Sequence, residues 1–352
     1  MSSRHFHSKA ESIDPAYHRK QIISIAFLLL LFLALAATTL ISLRTGSYDT
    51  PVAELLRAVM GRSADPRINI VVRQNRLPRI CTAIIAGAGL GIAGCVLQAV
   101  LRNPLASSST LGVSQGASFG AAFAIIVLGL GKSGGGLGVP LCAFLGSMAV
   151  AAAILILSRV SQVGAEGIVL SGVAISAMFT GATTLLQYFA SEVEVNALLF
   201  WTFGSLSSTD WQDVGQMALV TAAASLYFFL RRWDFNALLS GEETAVSLGI
   251  RVKRLTLTNM VLCCFVCSVL VSRIGLINFI GLAAPHIVRL AVGNNHVYLL
   301  PGSAMAGALL LLLGDLAART VMSPVVLPIG AITSFLGGPI FLYLLFRGGK
   351  KA

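Results

Sequence analysis

Apolar residues in this chain gather into long unbroken runs separated by short polar stretches, instead of recurring at every third or fourth position. A helix needs roughly 20 mostly apolar residues to cross the ~30 Å hydrocarbon layer of a bilayer. Ten runs meet or approach that length: 22–43, 77–101, 111–130, 139–157, 168–190, 214–230, 255–272, 274–292, 303–321 and 325–346. Each is expected to be a helix, because lipid offers no partner for unpaired backbone groups. The first run is too long for the apolar region of a signal peptide, and no small-residue cleavage site precedes Arg44, so it reads as a span. The eighth is interrupted by Gly281 and Pro285, which leaves its ends loosely defined.

Composition agrees with the pattern. Charged residues make up 11% of the chain and apolar residues 56%, whereas soluble domains carry about a quarter charged residues. The expectation is an all-α integral membrane protein with about ten transmembrane helices. An even number of spans puts both termini on one side, and cytoplasmic loops carry the excess of Lys and Arg. With the termini inside, 15 of the 25 Lys and Arg residues fall on the inner side and 10 outside. Residues 1–21 and 347–352 then form cytoplasmic tails around one membrane domain, 22–346. Seven of the ten outer cations crowd into 44–79, against the rule. The net charge of +11 is explained by loops flanking spans and does not point to nucleic acid, which calls for a basic folded surface with stacking aromatics.

The polar segments carry the remaining local signals. In the outer loop 44–76, Thr50 reads as an N-cap with Pro51 at the first helical position. A short amphipathic helix is expected over Val52–Met60, stopped at Gly61. Outer loop 191–213 holds Glu192, Glu194, Asp210 and Asp213 around an apolar stretch, Leu198–Phe203. In the inner loop 231–254, Ser240-Gly241-Glu242-Glu243 has the spacing of a capping box. It opens a helix over Gly241–Leu248 that Gly249 ends. A capped surface helix tethered between two spans suits rigid contact with a partner.

Several strings look catalytic and are excluded by context. Gly89-x-Gly91-x-x-Gly94 lies mid-span with no strand before it, and Gly87-x-x-x-Gly91 fits close helix packing in lipid. Gly131-Lys132-Ser133 lacks the glycine that opens a phosphate-binding loop, so any ATP hydrolysis has to come from another polypeptide. His286 has no nucleophile partner. Cys264-x-x-Cys267 sits inside a span with no other ligand, so all six cysteines read as small apolar side chains. No cofactor or metal site is expected, and no enzyme activity. Asp315 is the one strong candidate for a span-buried carboxylate, the feature an ion-coupled secondary transporter would need. Spans two to five and seven to ten read as loosely matching halves, each with a segment broken by proline (Pro104, Pro285).

Four stretches resemble one family. They are RLPRICTAIIAGAGLGIAGCVLQAVLRNPLASSSTLGVSQGASFG from Arg76 to Gly120, GLINFIGLAAPHIVR from Gly275 to Arg289, Leu327–Gly330 and Gly337–Phe341. The chain is similar over 70–350 to the FecCD/cobalamin-type permease subunits of type II ABC importers for iron-siderophores, haem and vitamin B12; Asn278 departs from the pattern. The resemblance implies an inner-membrane permease working as a homodimer or close heterodimer. Two ABC ATPase subunits, which hold ATP and magnesium, would sit below, and one periplasmic substrate-binding protein above. It implies that Ser240, Gly241, Glu242, Glu243, Leu248 and Gly249 couple to the ATPase. Arg76, Arg79 and Arg319 would dock the binding protein. Spans five and ten would line the path through Ser171, Ser176, Thr180, Thr183 and Ser334. An iron(III)-siderophore is the implied cargo, with cobalamin and haem as alternatives.

Overall fold

The computed structural model describes residues 15–45, 51–63, 65–130, 137–160 and 165–348. Thr50 and the Gly131-Lys132-Ser133 string lie outside them, as do the ends of both tails. Among the described residues every regular element is helical. Seven helices are long and apolar enough to cross a membrane: α1 (Pro15–Arg44), α3 (Pro66–Val100), α5 (Gly138–Val160), α6 (Ala165–Tyr188), α8 (Trp211–Leu230), α11 (Val252–Ile274) and α13 (His296–Thr320). Three shorter apolar helices complete the ten: α4 (Val113–Val127), α12 (Ile280–Val292) and α14 (Ile329–Gly348). Four more lie between spans: α2 (Val52–Val59), α7 (Glu192–Thr202), α9 (Arg232–Leu239) and α10 (Glu242–Ser247).

Helix α3 is the axis of the bundle. It packs on α13, α12, α11 and α8, and glycine makes the closest of these approaches possible. A Cβ at Gly87 or Gly91 would overlap the backbone of α13 at Gly307 and Ser303, and one at Gly94 would strike the Gly281 carbonyl of α12. In lipid, where burial of apolar surface gives no net drive between helices, such backbone contact is a main source of association. Gly116 and Gly120 do the same for α4 against α5.

The structure departs from the sequence pattern in three places. The second span begins eleven residues before Leu77, at Pro66, behind an Asp65 side chain that accepts from the Arg67 amide at 2.8 Å. The pattern hides this start because 66–76 is too polar for a span. A π-helical turn over Val71–Arg76 joins the extension to the apolar part. The eighth span starts at Ile280, after an irregular stretch from Gly275, whose φ is +76°. The outer loop 191–213 folds largely as α7, a helix the hydropathy does not announce. Ser191 and Glu194 form a capping box there, and Asp210 with Asp213 forms another on α8. The indole of Trp211 then donates to the Arg73 carbonyl at 2.8 Å, pinning α8 to the π-helical turn. Trp211→Phe is expected to lose about 1 kcal/mol of stability, read as a lower thermal midpoint in detergent.

Chain direction gives the bundle two polar faces. One holds the C-terminal ends of α1 and α13 and the start of α3, and is here called the arginine face. The other holds α9, α10 and the outgoing end of α3.

Candidate functional site: the arginine face and the helical loop opposite

At the arginine face the carboxylate of Asp315, on α13, is fully buried. Its two oxygens accept from Arg79 Nε at 2.8 Å and from Arg319 Nε at 3.0 Å. Position 319 follows 315 by one helical turn, whereas Arg79 is brought from the start of α3. Arg319 spends its other donors on α1, giving hydrogen bonds to the Thr45 carbonyl at 2.9 Å and to Ser42 Oγ. Arg76 is 7% exposed and donates to the Leu43 carbonyl at 2.9 Å. Arg79 also donates to Ser207 Oγ. The last carbonyls of a helix lack internal partners, so Arg76 and Arg319 close the end of α1.

The three arginines implied as docking residues all take part in the helix packing at this face: Arg76 is buried, and Arg79 and Arg319 are half-buried. The physical reason is that the end of α1 and the Asp315 carboxylate offer acceptors that water would otherwise have to supply. What the face does present is a different set. Arg44, Arg62, Arg67 and Arg73 are exposed. The guanidinium of Arg73 lies over Gly61, whose φ of +72° turns the chain back after α2. Arg57 is exposed as well but pairs with Glu54 at 2.8 Å.

On the opposite face the loop 231–254 folds as two helices, α9 and α10. The expected capping box does not form: Ser240 closes α9, its amide bonding to Ala237, and is not the cap of α10. Gly241, with φ +106°, makes the corner between the helices, and α10 has no side-chain cap. Gly249 ends the segment at φ +83°. Glu242 pairs with Arg102 at 2.9 Å, linking α10 to the foot of α3. Both partners are about half exposed, so Arg102→Gln is expected to change stability by less than about 1 kcal/mol. Glu243 is exposed, and Val246 and Leu248 show 57% and 67% of their surface. Apolar side chains exposed together on a polar surface mark a candidate contact with a partner.

The expected path residues lie on α6 and α14. Ser176, Thr180 and Thr183 each donate to the carbonyl four residues back, at 2.7, 2.8 and 2.8 Å. Thr180 is exposed, Ser171, Ser176 and Ser334 are half-buried, and Thr183 is buried. Around them α6 leaves Leu170, Met178, Leu185 and Tyr188 exposed, and α14 leaves Phe335 and Tyr343. No charged residue occurs in 167–188 or 329–343. No group of three or more His, Cys, Asp or Glu side chains is placed to hold a metal among the described residues.

The pattern of the FecCD transport family matches residues 31–347. The chain belongs to that family. A protein of Methanocaldococcus jannaschii named as an ABC transporter permease is 43% identical over 95% of this chain and 97% of its own. The Fe(3+)-citrate import system permease protein YfmE of Bacillus subtilis is 35% identical, covering 95% and 98%. The vitamin B12 import system permease protein BtuC of Salmonella paratyphi A is 34% identical, covering 93% and 97%. A solved inward-facing conformation of a metal-chelate type ABC transporter superposes with a TM-score of 0.80, at 31% identity over 91% of this chain and 98% of that one. The chain is thus a multi-pass permease subunit of the type II ABC importer fold.

Proposed function

We propose that this permease carries an iron(III)-siderophore inward across the plasma membrane as one half of a dimer. Two ATPase subunits would sit beneath α9 and α10, and a substrate-binding protein on the arginine face. The observation that carries the choice of a chelate is the chemistry of α6 and α14. Their outward faces are apolar and hydroxyl-bearing over 167–188 and 329–343. A bare cation needs oxygen ligands from carboxylates or carbonyls, whereas a metal already wrapped in an organic ligand needs only a path that does not hold it. A second subunit facing α6 and α14 would close that path. Relatives named for ferric citrate, hemin and vitamin B12 all handle large metal chelates, which supports the same class.

ATP binding in the partner would move α9 and α10, and through Arg102–Glu242 the foot of α3. The fully engaged Asp315 argues against ion coupling, because both of its oxygens are held by guanidinium groups and neither is open to a travelling proton.

Uptake tests the cargo. The permease is reconstituted with its ATPase and binding protein, and radiolabelled ferric siderophore, haem and cobalamin are compared with free iron. ATP-dependent accumulation of the siderophore alone is expected. Accumulation of haem or cobalamin instead would move the cargo within the chelate class, and uptake of free iron would end the proposal.

A further inference from the structure

On the face that holds α9 and α10, a cavity of about 550 Å³ opens between the end of α8 and the start of α11. Its wall includes Arg231, Asp234, Leu248, Gly249, Arg251 and Arg254. All three arginines are exposed. Arg231 holds Asp234 at 2.8 Å and lies 6.0 Å from the centre of the Tyr227 ring. Arg251 and Arg254 have no ion-pair or hydrogen-bond partner among the described residues. The acids of α10 do not answer them: Glu242 is taken by Arg102, and neither it nor Glu243 lines the cavity. Gathered like charges repel one another, so two guanidinium groups without counter-charge on one wall call for an anion.

The depth of the cavity says which anion. Helix α8 has 20 residues, so at 1.5 Å per residue it is about 30 Å long, the thickness of the hydrocarbon layer. At its far end Asp213 pairs with Arg273, which sets α8 and α11 level with each other. Neither carries a charge over 214–230 or 255–272, so Arg231 and Arg254 both fall at the opposite membrane boundary. Trp233, 62% exposed, marks the same level, with Arg232 stacked 4.4 Å over Phe229 and 5.6 Å over Trp233; exposed tryptophan is typical of the interface. We propose that the cavity holds the headgroup phosphate of an anionic phospholipid. Guanidinium forks meet phosphate oxygens bidentately, and basic pockets between spans take such headgroups. The acyl chains would lie along α8, where Leu219, Leu226 and Leu230 are exposed and share one face at spacings of seven and four. Free phosphate would leave that apolar face unused. Leu248 and Gly249 belong to the cavity wall, so the lipid would touch the end of α10, the helix that the proposed function gives to the ATPase; only this consequence rests on that reading.

The experiment counts the lipids that the full chain retains in native mass spectrometry, after exposure in detergent to equal amounts of phosphatidylglycerol and phosphatidylcholine. Wild type is expected to favour phosphatidylglycerol by roughly tenfold. Arg251→Gln/Arg254→Gln is expected to lose most of that preference, and Arg251→Lys/Arg254→Lys to keep part of it. Both pairs alter exposed side chains without partners, so the thermal midpoint should stay at the wild-type value; the single substitutions read the same loss if a pair does not fold. Arg62→Gln/Arg67→Gln removes the same charge from exposed sites on the arginine face and is expected to retain lipid as wild type does. Equal loss in the two Gln pairs overturns the site, because net charge alone would then select the lipid. A wild type without preference, or an Arg251→Gln/Arg254→Gln protein that keeps it, overturns the site as well. Release of the lipid by millimolar inorganic phosphate would make the cavity a free-anion site, and loss of a co-purified ATPase with lipid unchanged would make it a protein contact; either ends the proposal. Lipid is counted on the permease alone, so failure of the cargo or coupling reading would be seen separately.

Discussion

Asp315→Leu is expected to destabilise the protein by roughly 3–5 kcal/mol, because removing one member of a buried ion group leaves the others uncompensated. Arg79 and Arg319 have only 15% and 11% of their side-chain surface exposed, so water screens little of that loss. Fluorescence-detected size exclusion after a heating series would show the drop as a lower midpoint and a smaller monodisperse peak. The same logic gives a rescue. Asp315→Leu combined with Arg79→Leu and Arg319→Met removes the whole group, and should recover most of the loss apart from the bonds Arg319 makes to α1. If Asp315→Leu alone melts like wild type, the three groups are not the clamp described above. Uptake that follows a proton gradient without an ATPase would give Asp315 a transport role instead.

The second large effect is steric. Gly94→Leu forces a side chain into the space where α3 and α12 meet backbone to backbone, since even a Cβ there would overlap the Gly281 carbonyl. Ordinary overpacking costs about 1–3 kcal/mol. Here the obstacle is main chain on both sides and has no rotamer to change, so the cost should reach or pass the top of that range. Loss of folded protein on size exclusion is the expected result. Gly215→Ala in α8 is the matched control. Nothing lies within 4 Å of a Cβ there, and alanine is the better helix former by about 1 kcal/mol. A Gly94→Leu protein that folds as well as Gly215→Ala would mean that α3 and α12 stand further apart than described.

Most of the spans were readable because their signal is long: a bilayer-length apolar run survives errors of several residues at either end. The extension of α3 was not readable, because Arg67, Asn69, Arg73, Gln74 and Asn75 interrupt the hydropathy and only tertiary contact holds that stretch as helix. The segment around Ser240 shows a different failure. Its spacing fits a capping box, but Ser240 was already needed to end α9, a helix the hydropathy did not announce. The boxes that do form, at Ser191 with Glu194 and Asp210 with Asp213, have the same three-residue spacing and could have been read from it.

The candidate site divides the same way. The Asp315–Arg319 pair follows from helical spacing. The Asp315–Arg79 pair joins residues 236 apart in sequence, and no local pattern contains it. Whether an arginine at a helix end faces water or a neighbouring carbonyl depends on which helix lies beside it, and for Arg76 that helix is α1, which the run of hydrophobic residues locates along the chain but not in space.

The π-helical turn at Val71–Arg76 has one more consequence. Successive residues of an α-helix are rotated by about 100° around its axis, so a stretch that accommodates an extra residue works like a clock setting between the two parts of α3. Removing one residue there would leave the membrane-embedded register of Gly87, Gly91 and Gly94 intact while swinging Arg67 and everything before it to another compass bearing. A single-residue insertion or deletion would therefore re-aim the polar end of α3 while keeping its glycine packing, and would displace the Arg73 carbonyl that Trp211 bonds, so that related permeases could change their outer surface over one core for the loss of one tether.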